Sequence, residues 1–423
     1  MAERHASTLG GTTDPLPMND LPAVKPGHGV DLLGGVLVID MTTSIAGPYA
    51  TMLLADFGAR VVKIERPSGG DDSRGWGPPF LGDQSLWFLS VNRNKESVAL
   101  DIASPEGYAV LLELIEHADV VVTNQPPHVQ AKLKTDFQTL KAVKNDLVFA
   151  SITGFGLTGS RANGVCYDLI AEGYSGVMDL TGGPDCEPQK LAVPAADMLA
   201  GQDAAMAVMA ALVERGRGRR QRLIDISLVE SMTRFLSCRI VPYLGSGEVP
   251  RRAAGKNSPI AIYQAFETTD EPITLGLGTD AIWHRFWKAV GRPEYGLSET
   301  YATNTGRRAG RDAIITEIQA VLRRRSRKYW LRVFADNRVP AGPINRVDEA
   351  VEDATLRERG LFFQLGDASG AVPQVGLGIH INGHAAVPRS LPPRLGQHTR
   401  HVCRELLGYS EERVSELEQA GVI

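Results

Sequence analysis

Between residues 35 and 227 the hydrophobic pattern of this chain switches repeatedly between two periods. GVLVIDM (35–41), ARVVKIE (59–65), SVALDI (97–102), DVVVTN (119–124), LVFASIT (147–153) and QRLIDIS (221–227) are short, nearly continuous apolar runs. Runs of that kind suit strands buried on both faces. Helix-like stretches lie between them and carry their own end signals. AGPYATMLLADFGA has Pro48 for a first turn and Gly58 for a last one, and SPEGYAVLLELIEHA opens on Ser104, Pro105 and Glu106. The alternation predicts an α/β fold with a doubly wound, largely parallel sheet.

A chain of 423 residues exceeds one ordinary core, so two or three units are expected. The texture changes after about residue 245, where GSGEVPRRAAGKNSP reads as a loop. PIAIYQAFET and PITLGLG then read as strands, helical patterns run from 280 to 336, and VPAGPIN (339–345) reads as a connector, which together suggest a second, α+β domain. RHVCRELLGYSEERVSELEQAGVI closes the chain with a helical pattern. The first 30 residues are rich in Pro, Gly and Thr, carry no apolar core like a secretory leader's, and are expected to form a loose tail.

Composition narrows the function. A net charge of −4 supplies no bulk basic field for nucleic acid. RGRGRRQR (215–222) and RRRSRK (323–328) read as solvated clusters. Cys166, Cys186, Cys238 and Cys403 are scattered without metal-ligand spacing and are expected as free thiols in a reducing, cytoplasmic setting. No apolar run reaches the ~18 residues a membrane span needs.

GFGLTG (154–159) fits a dinucleotide-binding pattern, but SRANGV follows it where a helix should open. A tight turn beside a ligand or a packed backbone is expected instead. His398 and His401 lack a carboxylate or Cys companion and read as surface residues. In LAVPAADMLAG (191–201) the one charged residue is Asp197, just before an apolar run that predicts a helix over 198–214. Asp is a favoured N-cap, which is one explanation. An ionised, half-desolvated carboxylate at a helix start is also a competent nucleophile. The local stretch does not choose between them.

IAGPYATMLLADFGARVVKIERPSGGDDSRGW, NRNKESVALD, SPEG, ITGFG, YDLIAEG, AVPAADMLAG, GPIN and the tail PPRLGQHT…LLGYS…GVI together resemble the class III CoA-transferases, a family that includes formyl-CoA transferase, carnitine CoA-transferase and α-methylacyl-CoA racemase. The likeness runs from about residue 33 to 423. It implies a Rossmann-like large domain built from both chain ends (31–225 with 350–423), linkers and a small domain over 226–349, and a homodimer of interlocked chains. It implies no permanent cofactor and no metal, with coenzyme A thioesters as substrates.

The resemblance places the family's nucleophile at Asp197, which would pass through aspartyl anhydride and aspartyl-CoA thioester intermediates. It places an adenosine-phosphate grip at Arg66 and a second cation at Lys132. It puts further CoA contacts at Ala46, Leu100, Asn124 and Tyr167. TNQPPH departs from the family pattern, with Gln125 for a Phe and His128 for a Gly, so the adenine-side contact made there does not carry over. Racemases of the family have His where this chain has Tyr167, and Tyr is a poor base near neutral pH. Transfer from a donor such as succinyl-CoA to a small carboxylic acid is therefore expected, with 2-methylacyl-CoA racemisation the alternative. AAGKNSPIAIYQAF lacks formyl-CoA transferase's glycine run, which disfavours oxalate/formate exchange.

Overall fold

A computed structural model of the chain describes residues 16–216, 222–256, 259–367 and 370–423. Most of the 215–222 cluster and the first half of the expected tail lie outside them. The chain divides into two compact units. One comprises the described residues up to Ser175 with Ala192–Ser237 and Ala354–Ile423; the other comprises Gly176–Leu191 and Cys238–Asp353.

The first unit is built on six parallel strands: β1 (Leu37–Met41), β2 (Arg60–Glu65), β3 (Lys95–Ala99), β4 (Val120–Thr123), β5 (Val148–Thr153) and β6 (Arg222–Ser227). Their order across the sheet is β3-β2-β1-β4-β5-β6, all in parallel register. β1, β4 and β5 are buried at every residue, as their unbroken apolar runs require, while edge strand β6 alternates over its first four residues. β3 begins two residues earlier than its apolar run. Lys95 extends it because the ammonium is held inside by Asp40.

Helices cover the sheet: α1 (Ala46–Asp56), α2 (Pro105–His117), α3 (Pro127–Leu133), α4 (Asp168–Ser175), α5 (Ala195–Arg215) and α6 (Leu228–Phe235). The α2 side chains Val110, Leu111, Leu114 and Ile115 pack on Ile39, Val62, Val98 and Val121 of the sheet. Each such burial stabilises by roughly 1.5–3 kcal/mol. The same core takes in Val402, Leu417 and Val422, and Asp101 N–H donates to the Val422 carbonyl at 2.8 Å, so the C-terminal segment completes a core begun by the N-terminal half. That segment is two helices, Thr399–Glu405 and Glu411–Gln419, rather than one continuous pattern. Gly408 turns the chain at φ +67°, and Ser410 caps the second helix through the Arg413 N–H.

Three other expectations are corrected. Ala23–Val24 pairs in parallel with Gln364–Leu365, so this part of the expected tail is held in a small sheet. His398 is not a free surface side chain: its Nδ1 accepts the Ser97 N–H at 3.1 Å and ties the C-terminal segment to β3. In the second unit, Ala341–Pro343 is a strand and not a connector. It pairs with Ile273–Gly276, which also pairs with Tyr263–Phe266. Its position at the sheet edge is where a proline is tolerated.

Candidate active site

The strand order reverses between β1 and β4, and at such a switch point the loops after the strands part and open a crevice. A cavity of about 270 Å³ lies there. Its walls are Thr43, Ser44 and Ala46 after β1, Asn124 and His128 after β4, Gly154 after β5, the irregular segment Ala162–Tyr167, and Asp197. The structure therefore brings Asp197, Ala46, Asn124 and Tyr167 to one cavity. Cys166, Trp76 and Asp72 also line it.

Asp197 is the third residue of α5, which begins at Ala195 and not at residue 198. It is not the cap: the N-cap position is Pro194, and the first-turn N–H groups of Ala196 and Asp197 donate to Asp168 Oδ1 at 2.8 and 3.4 Å. A helix start would by itself favour an anion. Here burial, and then the charge of Asp168, push the Asp197 carboxyl up to about 7. Where an ionised carboxylate is expected, the acid is poised near neutrality by burial first and the charge of Asp168 second, and the first-turn donors of the helix are spent on that second carboxylate. Burial, with Asp197 and Asp168 nearby, pushes the Cys166 thiol up to about 11, so the sulfur is a neutral wall and not a competing nucleophile.

α5 reaches the cavity by packing on α1 through small residues. Ala196, Ala200, Ala204 and Val208 repeat every fourth position and are buried. Gly201 is the point of closest approach: a Cβ there would lie 2.5 Å from the Ala46 carbonyl oxygen. Asp197 precedes Gly201 by one helical turn and so sits over the start of α1. The Gly201→Ala variant is expected to stay folded but to lose about a hundredfold in kcat, since a shift near 1 Å at a reacting group can cost that much. Steady-state kinetics beside a circular-dichroism melt check this. α5 is also long and apolar enough, by length and composition, to cross a bilayer, but this seam shows it packed as a helix of the first unit.

The loop after β1 is held from every side. Asn124 Nδ2 donates to the Thr43 carbonyl at 2.8 Å, and its Oδ1 accepts the Thr43 N–H at 3.0 Å. Both ends of the Asn124 amide are thus engaged within the protein. Ser44 has φ +69°, unusual for a residue with a side chain, and its N–H donates to Asp71 at 2.9 Å. Asp71 is in turn paired with Lys63 at 2.8 Å, and Lys63 Nζ donates to the Thr42 carbonyl at 2.7 Å. Asp40 binds Thr42 through both N–H and Oγ1 and pairs with Lys95 at 3.1 Å. Burial alone would raise Asp40, yet Lys95 and Lys63 hold it at about 2. The same burial lowers Lys95 to about 8 despite Asp40.

The remaining expected contacts lie outside the cavity walls. Arg66 follows β2, is well exposed, and is paired with Asp72 at 2.5 Å. An exposed pair of this kind contributes about 0–1 kcal/mol, so a phosphate can displace it. Lys132 is exposed on α3. Leu100 is 1% exposed, with its side chain in the sheet core, its N–H donated to the Glu65 carbonyl and its carbonyl accepting the Ile102 N–H at 3.1 Å. GFGLTG follows the fifth strand of the sheet and not the first, and no helix opens after it. Its Gly154 abuts Cys166, where an added Cβ would meet the Cys166 Cβ at 2.1 Å, and the Leu157 N–H is spent on Asp225. Tyr167 is 70% exposed. Asp168, its neighbour, is a site residue that sequence reasoning passed over; YDLIAEG contains it, but nothing local ties it to the Ala196 N–H 28 residues on.

Relatives match the chain over nearly its whole length. Residues 33–399 match CoA-transferase family III, and the chain belongs to that family. It is 34% identical over 408 residues to succinyl-CoA:glutarate CoA-transferase of Mus musculus, covering 96% of this chain and 92% of the relative. It is 35% identical to succinate–glutarate CoA-transferase of Agrobacterium fabrum, covering 92% of this chain and 98% of that one. A crystal structure of a CAIB/BAIF family protein from Brucella suis superposes with a TM-score of 0.78 at 34% identity, over 88% of this chain and 99% of that chain. The protein is accordingly a CoA-transferase whose substrates are coenzyme A thioesters.

Proposed function

We propose that this enzyme carries CoA from succinyl-CoA to a short dicarboxylic acid such as glutarate, with Asp197 as the covalent carrier. The observation that carries the mechanism is the poised Asp197 carboxyl in a cavity at the sheet's switch point. The choice of acids follows the relatives named for succinyl and glutarate transfer. Asp197 attacks the thioester carbonyl, forming a mixed anhydride and releasing the CoA thiolate. The thiolate attacks the aspartyl carbonyl, giving an aspartyl-CoA thioester and free succinate. The acceptor carboxylate then displaces CoA through a second anhydride, and the thiolate takes the acceptor's acyl group, restoring the Asp197 carboxylate. Arg66 and Lys132 hold the CoA phosphates from outside the cavity. Ala46, Leu100 and Asn124 offer backbone groups and Tyr167 its ring.

Because only the ionised carboxylate attacks, kcat/KM for succinyl-CoA is expected to fall about tenfold per pH unit below about 7 and to level off above it. Initial-rate kinetics with glutarate, oxalate and formate as acceptors test substrate and mechanism together. Parallel ping-pong lines with glutarate preferred support the reading, whereas flat activity down to pH 5 excludes Asp197 as the group that must ionise.

The working unit, we further propose, is a cytoplasmic homodimer of interlocked chains with the large and small domains laid out over 31–225 with 350–423 and over 226–349. Met206 and Val213, two turns apart on α5, and Phe235 at the end of α6 are each more than half exposed, an apolar surface of the kind that a second copy covers. Light scattering on dilution tests this, and an active monomer would count against it.

A further inference from the structure

We propose that Asp168 is a positioning residue of the transfer reaction: it fixes the start of the nucleophile's helix through its carboxylate and, by its negative charge, drives Asp197 toward the uncharged, acylated state. This rests on the reading of Asp197 as the carrier. Asp168 opens α4, far in sequence from α5, yet its Oδ1 takes the N–H groups of both Ala196 and Asp197. An ordinary cap of α5 would be a Ser, Thr, Asn or Asp at position 194, and the chain has Pro there instead. A charged cap from another element places two carboxylates at one helix start, which is costly for a helix that needs only a cap.

The cost has a use in group transfer. When Asp197 becomes an anhydride or a thioester, its charge leaves with the new ester-like bond, and its repulsion with Asp168 ends. The free enzyme is therefore raised in energy relative to every covalent intermediate. The other charged and titratable groups about the site do not supply the same effect. Cys166 stays a thiol, while Asp72 and His128 stand on the cavity wall, Asp72 paired with Arg66. The first turn of α1 carries no charge, and on α6 Arg234 is paired with Asp203 while Glu230 sits in its first turn. The upward displacement of the Asp197 carboxyl, caused by burial first and Asp168 second, is in line with the geometry.

The test is Asp168→Asn, which keeps an oxygen to accept the two N–H groups and removes only the charge. The acid limb of kcat/KM is expected to move to lower pH; a shift of one unit from 7 would raise the ionised fraction at pH 6 about fivefold. The fraction of enzyme carrying aspartyl-CoA, read by intact mass after acid quench of enzyme with succinyl-CoA, is expected to fall. An unmoved acid limb with an unchanged adduct fraction overturns the proposal and leaves Asp168 a cap alone. If the Asn variant does not fold, Asp168→Ser, which caps through a hydroxyl, carries the same two readouts. Hydroxylamine trapping on the wild-type peptide containing residue 197 reports separately on the nucleophile, so failure of that reading is distinguishable from failure of this one.

Discussion

Asp197→Asn is expected to abolish CoA transfer and, at pH 8, to melt at a higher temperature than the wild type. The first result follows because an amide of the same size cannot form the anhydride, and what remains is at most slow background chemistry. The second follows from the sign of the carboxyl's displacement. Asp197 titrates near 7 in the folded protein against 3.8 for the ordinary side chain, so between those values the folded state binds more protons than the unfolded one. Stability then falls as pH rises through that window, and the penalty is complete above about 7. Asn carries no such penalty. Three units correspond to about 4 kcal/mol at most, and solvent reaching the cavity brings a realistic figure to roughly 2 kcal/mol. Calorimetry of both proteins at pH 4 and pH 8 checks it: the gap in Tm should open only at the higher pH. A variant that is inactive but no more stable at pH 8 would show that burial does not strain the carboxylate.

The second large effect is expected at Lys63. Its side chain is fully buried between Asp71 and the Thr42 carbonyl, and it does not line the cavity. Lys63→Met preserves the length and apolar stem of the residue but leaves Asp71 and Asp40 in the interior with one cation, Lys95, between them. Removing one partner of a buried pair costs about 3–5 kcal/mol because the other charge stays behind. The loss falls on the loop that Asp71 and Thr42 hold, residues 42–44, which form one wall of the cavity. Urea unfolding should show the lowered stability, and calorimetric titration with CoA should show weakened binding in whatever remains folded. Unchanged binding in a destabilised protein would mean that the Ser44 backbone keeps its left-handed conformation without the ion pairs.

The central strands of the sheet are legible in the sequence because burial on both faces leaves apolar runs too short for helices and too continuous for a half-exposed strand, and edge strand β6 is legible from its alternation. Lys63 and Lys95 interrupt that logic, since they are charges inside strands, and only the acids they meet from other segments explain them. Ala341–Pro343 is illegible for the opposite reason: an edge strand of three residues containing Pro and Gly has no pattern of its own. The local pattern of AVPAADMLAG favours Asp197 as a capping residue, and the family resemblance favours it as a nucleophile. The structure removes the capping role, because Pro194 holds the N-cap position and Asp168, reached only through tertiary structure, takes the first-turn N–H groups. Gly201, the last letter of that motif, becomes meaningful once α1 is seen to press against it. In NRNK, Arg93 is buried in a bidentate pair with Asp56, Asn94 donates to the same carboxylate, and Lys95 pairs with Asp40. Its cations serve the scaffold.

The seam between α1 and α5 has a consequence for how sequence variation is tolerated. At Gly201 it meets the backbone of α1 and the edge of the Tyr49 ring, and the rest of the buried stripe is alanine but for Val208, so little there can repack around an added methyl group. An extra atom there moves a whole helix rather than a side chain, and α5 carries Asp197 with it. Cellular quality control, which recognises exposed core, would overlook a rigid displacement of that kind. In a deep mutational scan, small-to-larger changes along this seam should therefore leave protein abundance near normal while growth dependent on the enzyme collapses, the reverse of the signature expected at Val121 or Leu114.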